Sequence, residues 1–369
     1  MVYTAFACET VTGRNLGPLD VTVNSWAREL NGTDTATVTI SPGALTLANR
    51  DQVRLYTTGQ RMSLVVCWDS VPMFAGPFVT ESWNKNTLSF SAVGIRNTFL
   101  KRKAHTWAMP YAAQVLAYSG MSLASIARAL AVVGMSHPGG TLPIVLPATE
   151  VDADPTHVRN YNGFELKSIA DIWSLLTGVN NGPDIDFLPS WTDASQTFIQ
   201  WTMRTGTVAQ PKLSAPQQVS FDASQPGSSV ADLSYVSDSS QLATTQWAAG
   251  AGTDVGILMS QTSSSTLIGN GFPLLEDETD YKTVSDQATL DTYTAGDLAL
   301  HGTPIKQWAL SVDALQPPVM SSYNIGDVAL VRIANHLWLP DSPAAGLPLR
   351  IVGMSGDSST KLILKVQAA

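Results

Sequence analysis

The feature that most constrains the fold is the run from Tyr281 to Ile333, where the periodicity changes from helical to extended within a few residues. Val284, Ala288, Leu290 and Tyr293, followed by Ala295, Leu298 and Ala299, recur at roughly helical spacing, with Asp286 in the first turns and Thr283 as the cap. Gly302 and Pro304 stop this helix. From Pro304 to Asp313 the period becomes two: Ile305, Gln307, Ala309 and Ser311 share one face, and Lys306, Trp308, Leu310 and Val312 share the other. Pro317-Pro318 breaks that strand, and Asn324 to Asp327 supplies the turn that starts a second one, Val328 to Ile333. A closing hairpin over Leu349–Met354 and Lys361–Val366 completes a β-rich end.

The first hundred residues have the same character. Leu19–Val23, Thr35–Ile40, Gln52–Tyr56, Met62–Trp68, Met73–Trp83 and Thr87–Val93 read as short strands. Turn residues at 31–34, 41–43, 49–51, 58–59 and 84–86 separate them, a spacing that favours a sandwich or a small barrel. Gly76-Pro77 marks a bend, because proline removes a ladder donor.

The middle is more helical. Val115 to Met135 is interrupted by Ser119, Gly120, Ser122, Ser125 and Arg128, which predicts a helix pair and not a membrane span. Ser122 caps the second helix, and Gly134 ends it. A further helix is expected from Gly163 to Thr177, with Leu166, Ile169, Ala170, Ile172, Trp173 and Leu176 as its apolar stripe. A hairpin over residues 182–206 follows, then a proline-containing loop over 207–227. Strands are expected at Ser229–Val236, Leu242–Ala248 and Gly256–Ser260, and a polar turn at Ser263–Thr266. Glu276 to Asp297 holds seven acids against Lys282 alone, so this stretch is expected to be solvated or to meet a basic partner.

Charged residues are 14% of the chain, against roughly 25% in ordinary soluble domains. Such a surface is expected to be covered by other subunits or to be rich in Ser, Thr and Asn. The net charge of -9 argues against a protein that grips phosphates. Lys101, Arg102 and Lys103, beside His105 and Trp107, form the one basic cluster and read as a solvated turn. Met1 to Ala5 lacks the basic start of a signal peptide. Cys8 and Cys67 read as small apolar strand residues.

Chemistry is hard to find. His105, His137, His157, His301 and His336 are scattered, so a zinc site is unsupported. Asp152 and Asp154, and Asp184 and Asp186, sit two apart as in a calcium loop but lack the glycine and distal glutamate, and read as loop acids. Glu9, Glu29, Glu81, Glu150 and Glu165 are the glutamates from which a glycosidase pair would be drawn. No nucleophile elbow or phosphate loop is present. No catalytic, cofactor-binding or metal residue is therefore assigned, and no cofactor is expected. The ten tryptophans, at 26, 68, 83, 107, 173, 191, 201, 247, 308 and 338, serve either core packing or subunit interfaces.

The helix, the strand and the entry Tyr323-Asn-Ile-Gly-Asp-Val328, together with Trp26 to Gly32, Ala36 to Ile40 and Phe74 to Phe78, resemble the hub or minor tail proteins of long-tailed bacteriophages. The resemblance covers both ends and, more loosely, the middle. It implies a mainly β fold with helical insertions (α+β), built as two hub-type β-barrel modules plus insertion domains. The divisions are an N-terminal barrel over 1–100, a helical and hairpin insertion over 101–228, a β module with the acidic connecting helix over 229–302, and a C-terminal barrel over 303–369. The two ends would share one layer and residues 100–300 another. It further implies a non-enzymatic homotrimer in the virion, at the tail tip, assembled in the host cytoplasm. This ring would join the sixfold tube to the threefold tip. Its partners would be a distal tail protein, a tape measure protein and a tip fibre or spike, with DNA passing through unbound. The competing expectation is a carbohydrate-active enzyme or glycan-binding module on a β scaffold.

Overall fold

Alternating apolar residues shape most of the first hundred positions into β1 (Tyr3–Glu9), β2 (Asn15–Leu19), β3 (Thr22–Glu29), β4 (Thr35–Ile40), a short helix α1 (Arg50–Tyr56), β5 (Met62–Trp68), β6 (Val71–Trp83) and β7 (Leu88–Val93). Next come β8 (Val115–Tyr118), α2 (Leu123–Ser136), β9 (Ile144–Val145), β10 (Arg159–Asn162), α3 (Ile169–Gly178), β11 (Ile185–Trp191) and β12 (Ile199–Thr205). They are followed by β13 (Val219–Asp222), β14 (Val230–Asp238), β15 (Thr245–Ala249), β16 (Met259–Ser263), α4 (Ser265–Gly269), β17 (Glu276–Asp280) and α5 (Gln287–His301). The chain ends with β18 (Ile305–Asp313), β19 (Val328–Arg332), β20 (Leu347–Gly356) and β21 (Lys361–Ala368). This computed structural model describes residues 3–40, 43–84, 87–152, 157–179, 181–214, 219–224, 228–282, 284–339 and 341–368.

The fold is mainly β with helical insertions. Its largest sheet has 13 strands, running β14-β18-β21-β20-β3-β4-β7-β6-β5-β1-β2 with β19 and β13 branching from β20. The two chain ends meet in this sheet, where Gly353, Met354, Ser355 and Gly356 of β20 lie opposite Glu29, Arg28, Ala27 and Trp26 of β3. No closed barrel is found among the described residues. The two terminal modules join each other through β3 and β20, so neither ladder closes on itself.

The expected bend at Gly76-Pro77 has a clear cause. The first half of β6 pairs with β5, with Gly76 opposite Leu64, whereas Phe78 to Trp83 pairs with β7. A Cβ at Gly76 would lie 1.9 Å from the Val93 carbonyl oxygen, so only glycine permits this crossing of backbones.

The chain divides into two compact units. One comprises Met1–Thr177, Gly182–Leu233 and Ala309–Ala369; the other comprises Ser234–Trp308 with Gly178–Asn181. The ends therefore fold together as expected, but most of the stretch from 100 to 233 belongs with them and does not form a separate layer.

Several local expectations are corrected. Gln52–Tyr56 is helical: Asn49 and Thr46 bond each other's backbone, and Val53 and Tyr56, one helical turn apart, are the half-buried positions. Val115–Tyr118 is a strand paired with β10, so only the second helix of the expected pair forms. Its cap is the predicted one, the Ser122 hydroxyl accepting from the Ser125 amide at 3.2 Å. Gly134 lies inside that helix, where its missing side chain admits Ile169 and Phe99. The helix expected from Gly163 is broken at Leu166, which has φ 47° and is 55% exposed. Helix α3 begins afresh at Ile169 and buries Ile169, Ala170, Ile172, Trp173 and Leu176 as predicted. The 207–227 loop contains β13, which pairs in parallel with β19, and the polar turn at Ser263–Thr266 runs into α4. Helix α5 starts later than predicted, capped by Asp286, whose carboxylate accepts from the Thr289 amide at 2.8 Å. Thr283 lies outside the described residues.

Candidate functional site

The chemistry that the sequence left as loop acids is the centre of the larger unit. Asp184 and Asp186 flank Ile185 at the start of β11, and both are buried, 0% and 4% exposed. A buried carboxylate is strongly unfavourable unless paired. Asp186 accepts both its oxygens' bonds from Arg28 Nη2 of β3 at 3.1 Å, and further bonds from Arg204 Nε and Nη2 of β12 at 3.0 and 2.5 Å. Burial works to raise its pKa, but Arg28 and Arg204 outweigh this and hold the carboxyl below the usual range.

Asp184 is tied to different segments. It accepts from Asn31 Nδ2 at 2.9 Å and from the Leu213 amide at 2.9 Å, and it pairs with Arg350 of β20. Asn31 in turn accepts the Ile185 amide at 2.7 Å, and its carbonyl receives Arg96. Arg96 also reaches Ser174 of α3 at 3.1 Å. Asp34 closes the group 3.8 Å from Arg28 Nε, its carboxyl pushed up to about 7 by burial against the opposing pull of Arg28. The network thus binds the β3–β4 turn, α3, the β11–β12 hairpin, the 206–213 loop and β20. It is a crosslink between distant segments; every carboxylate in it faces a guanidinium, which leaves no open cation site. Sequence spacing placed Asp184 and Asp186 side by side but could not bring Arg28, Arg204 and Arg350 to them.

Aromatic packing supports the same junction. Trp173, Phe99 and Phe187 cluster with centroids 4.7 to 6.3 Å apart. Three buried indoles donate to nearby oxygens: Trp173 to Ala127 O at 3.0 Å, Trp201 to Ala75 O at 3.1 Å and Trp26 to Tyr3 OH at 3.1 Å. Trp26, Trp68, Trp173, Trp201 and Trp308 are buried, whereas Trp83, Trp107, Trp247 and Trp338 are exposed.

The other sequence candidates stay apart. Glu9 accepts from Thr12, Glu29 pairs with Lys365, Glu150 accepts the Val208 amide, and Glu165 pairs with Lys167. A groove of about 250 Å³ in the larger unit, formed by residues 70–73, 188–191 and 320–324, has no acidic side chain in its lining. Glu29, Asp34 and Asp186 do border one space, but it measures about 10 Å³, too small for a sugar. His157 meets Asp152 at 2.5 Å and His301 meets Asp277 at 3.0 Å, and no group of three metal-ligating side chains occurs among the described residues. Asp154 lies outside the described residues. The basic cluster divides: Lys101 and Lys103 are exposed as expected, whereas Arg102 donates to the Gly134 and Gly140 carbonyls at 3.1 and 2.6 Å, and His105 is buried. Burial pushes the Cys67 thiol up to about 12 and the Cys8 thiol higher still, in keeping with two inert core residues. Among the described residues no helix is long and apolar enough to cross a membrane.

Apolar surface is more prominent than any cleft. Trp107, Met109, Tyr111, Val115, Phe164 and Leu166 are all more than half exposed or nearly so, on two segments that β8 and β10 hold together. Trp107 lies flat on His137, with centroids 4.3 Å apart and planes at 5°.

No protein-family model matches the sequence, and neither does any curated protein. Solved structures do. The 43 kDa tail protein of prophage MuSo2 from Shewanella oneidensis matches with a TM-score of 0.58 and 11% identity, over 100% of this chain and 98% of that one. The tail protein of Neisseria meningitidis MC58 matches with a TM-score of 0.57 and 13% identity, over 100% and 97%. Prophage tail protein gp18 of Listeria monocytogenes EGD-e matches with a TM-score of 0.51 and 9% identity, over 98% and 94%. With both partners of each comparison covered almost end to end, this chain shares its fold with these phage tail proteins.

Proposed function

We propose that this chain is a structural protein of a phage tail, and within the tail the hub at its tip. The observation that carries the reading is the end-to-end likeness in fold to three tail proteins. The hub assignment draws on the joining of the two terminal β modules through β3 and β20. If each chain presents two such modules side by side, three copies present six around an axis, which matches a sixfold tube above and a threefold tip below. Closed cyclic symmetry would also cover exposed apolar surface such as the Trp107–Phe164 patch. In this reading the neighbours are a distal tail protein, the tape measure protein and a tip fibre or spike. DNA passes without being held, in keeping with the charge of -9. The four sequence divisions, 1–100, 101–228, 229–302 and 303–369, remain the proposed modules of the hub.

Native mass spectrometry of the purified chain and electron microscopy of assembled tails test this. Three copies at the tail tip are expected. A monomer in solution together with absence from the tip would reject the reading.

A further inference from the structure

The smaller unit carries most of the charge. Between Ser234 and Trp308 there are nine Asp and Glu residues against Lys282 and Lys306, so 75 of the 369 residues hold seven of the nine net negative charges. The acids are not spread evenly. Five-residue β17, Glu276-Asp-Glu-Thr-Asp280, is an acidic strand at the edge of the three-stranded sheet β16-β15-β17.

One face of this sheet is covered by α5. Ser260 donates to Asp291 at 2.6 Å, Asp277 pairs with His301 at 3.0 Å, and Leu290 and Thr294 of the helix are fully buried. The opposite face is open around Trp247, with Thr245 buried at one end. Trp247 of β15 stands at its centre, 37% exposed, with Gln261 and Glu278 directly beside it in register. Met259, 54% exposed, and Asp280 flank Ala249 in the next exposed row, while Ser263 and Glu276 flank Thr245 on the other side. The Trp247 indole donates to Glu276 Oε1 at 2.8 Å, which leans the ring toward β17.

The backbone of β17 adds a second, independent feature. The Thr245 amide donates to Leu275 O, and the Tyr281 amide donates to Ala249 O. In a parallel ladder bonding alternates along the strand. Residues 275, 277, 279 and 281 therefore face β15, and the amides and carbonyls of Glu276, Glu278 and Asp280 face outward. These three residues thus offer an unpaired ladder edge and exposed carboxylates on the same side as Trp247.

We propose that the outer edge of β17 and the open face beside it take a basic, extended segment of a partner polypeptide, which adds to the sheet as a further strand. Main-chain bonds to Glu276, Glu278 and Asp280 supply the docking, as in other strand-addition complexes. Lysine or arginine at alternate positions of the incoming strand then stands opposite the three carboxylates. The long aliphatic stem of such a residue reaches over Trp247. Charge decides against two other occupants: nucleic acid would be repelled, and a second β17 would set like charges directly opposite one another. A single charge suffices to guard an edge against unwanted pairing; three acids in register beside an exposed indole go beyond that need. The proposal stands on this unit alone and does not depend on the tail reading.

The test uses the full chain and a fluorescein-labelled synthetic peptide of about nine residues, alternating lysine and threonine with a central valine, long enough to span the strand. Fluorescence polarisation should show saturable binding that weakens as salt rises. Glu278→Lys and Trp247→Ala, both at exposed positions, should each weaken it by about tenfold or more while far-UV circular dichroism stays unchanged. The same peptide N-methylated at alternate amides should bind at least about tenfold more weakly, because it cannot extend the ladder. Absence of binding, equal binding of the methylated peptide, or indifference to Glu278→Lys would overturn the proposal. So would self-association of the wild-type chain that Glu278→Lys abolishes, since that would make a second copy the occupant.

Discussion

Asp34 differs from its neighbours in the buried network because burial outweighs the pull of Arg28, which is 3.8 Å away and shared with Asp186. Its folded pKa, about 7, lies above the unfolded value of about 3.9. Between those values only the folded chain holds the proton, so Asp34 makes stability fall as pH rises from about 4 to about 7, by no more than about 4 kcal/mol. Asp34→Asn keeps an acceptor for the Glu29 amide and should flatten that decline, as read by urea unfolding across this range. Asp186 works in the opposite sense: held low by Arg28 and Arg204, it contributes stability above its unfolded pKa that is lost as pH falls through its folded value. Asp186→Asn leaves two guanidinium groups facing a neutral side chain and should cost about 3–5 kcal/mol at neutral pH. Lys365→Ala removes a half-exposed pair with Glu29 and should cost less than about 1 kcal/mol in the same assay.

At the scale of elements, single-residue boundaries held in some places and failed in others: Ser122 caps α2, but Gly134 lies inside that helix and Asp286 caps α5. The Ser122 cap, the buried stripe of α3 and the closing hairpin of β20 and β21 were all legible. Leu166 was misread because its spacing fits a helix while its left-handed backbone ends a turn. Gln52–Tyr56 was misread because a run with few buried positions carries no strong period of either kind. Gly76→Ala tests the corner in β6: a methyl group pressed against the Val93 carbonyl should destabilise the fold by about 2 kcal/mol or more, seen as a lower denaturation midpoint. Asp286→Ala should loosen the first turn of α5, seen as faster amide exchange confined to that turn.

For the molecule as a whole, the fold makes a discontinuous unit out of both chain ends and most of the middle, with residues 234–308 set off as a second, acidic unit. Hydrogen exchange should report this division. The sheet amides of β3 and β20 should share one opening free energy although they stand more than three hundred residues apart in sequence, because they bond to each other. The amides of β15 and α5 should open independently of them. A common opening energy for all four elements would show one cooperative unit where contacts indicate two.

The sequence by itself determined the fold class, the position of most strands and the concentration of acid between Glu276 and Asp297, because periodicity, turn residues and charge are local properties of the chain. It also carried enough turn-and-strand pattern to resemble tail hubs, although identity with the solved tail proteins is only 9 to 13%. Only the tertiary structure decided that Asp184 and Asp186 are buried ion-pair acids and that the two ends, expected to share a layer, join through β3 and β20. It alone decided that an acidic strand lies at the edge of another sheet. Each of these depends on which distant segment lies alongside. Arg28, Arg204 and Arg350 become partners of those acids through strand register and packing, and no spacing along the chain encodes that meeting.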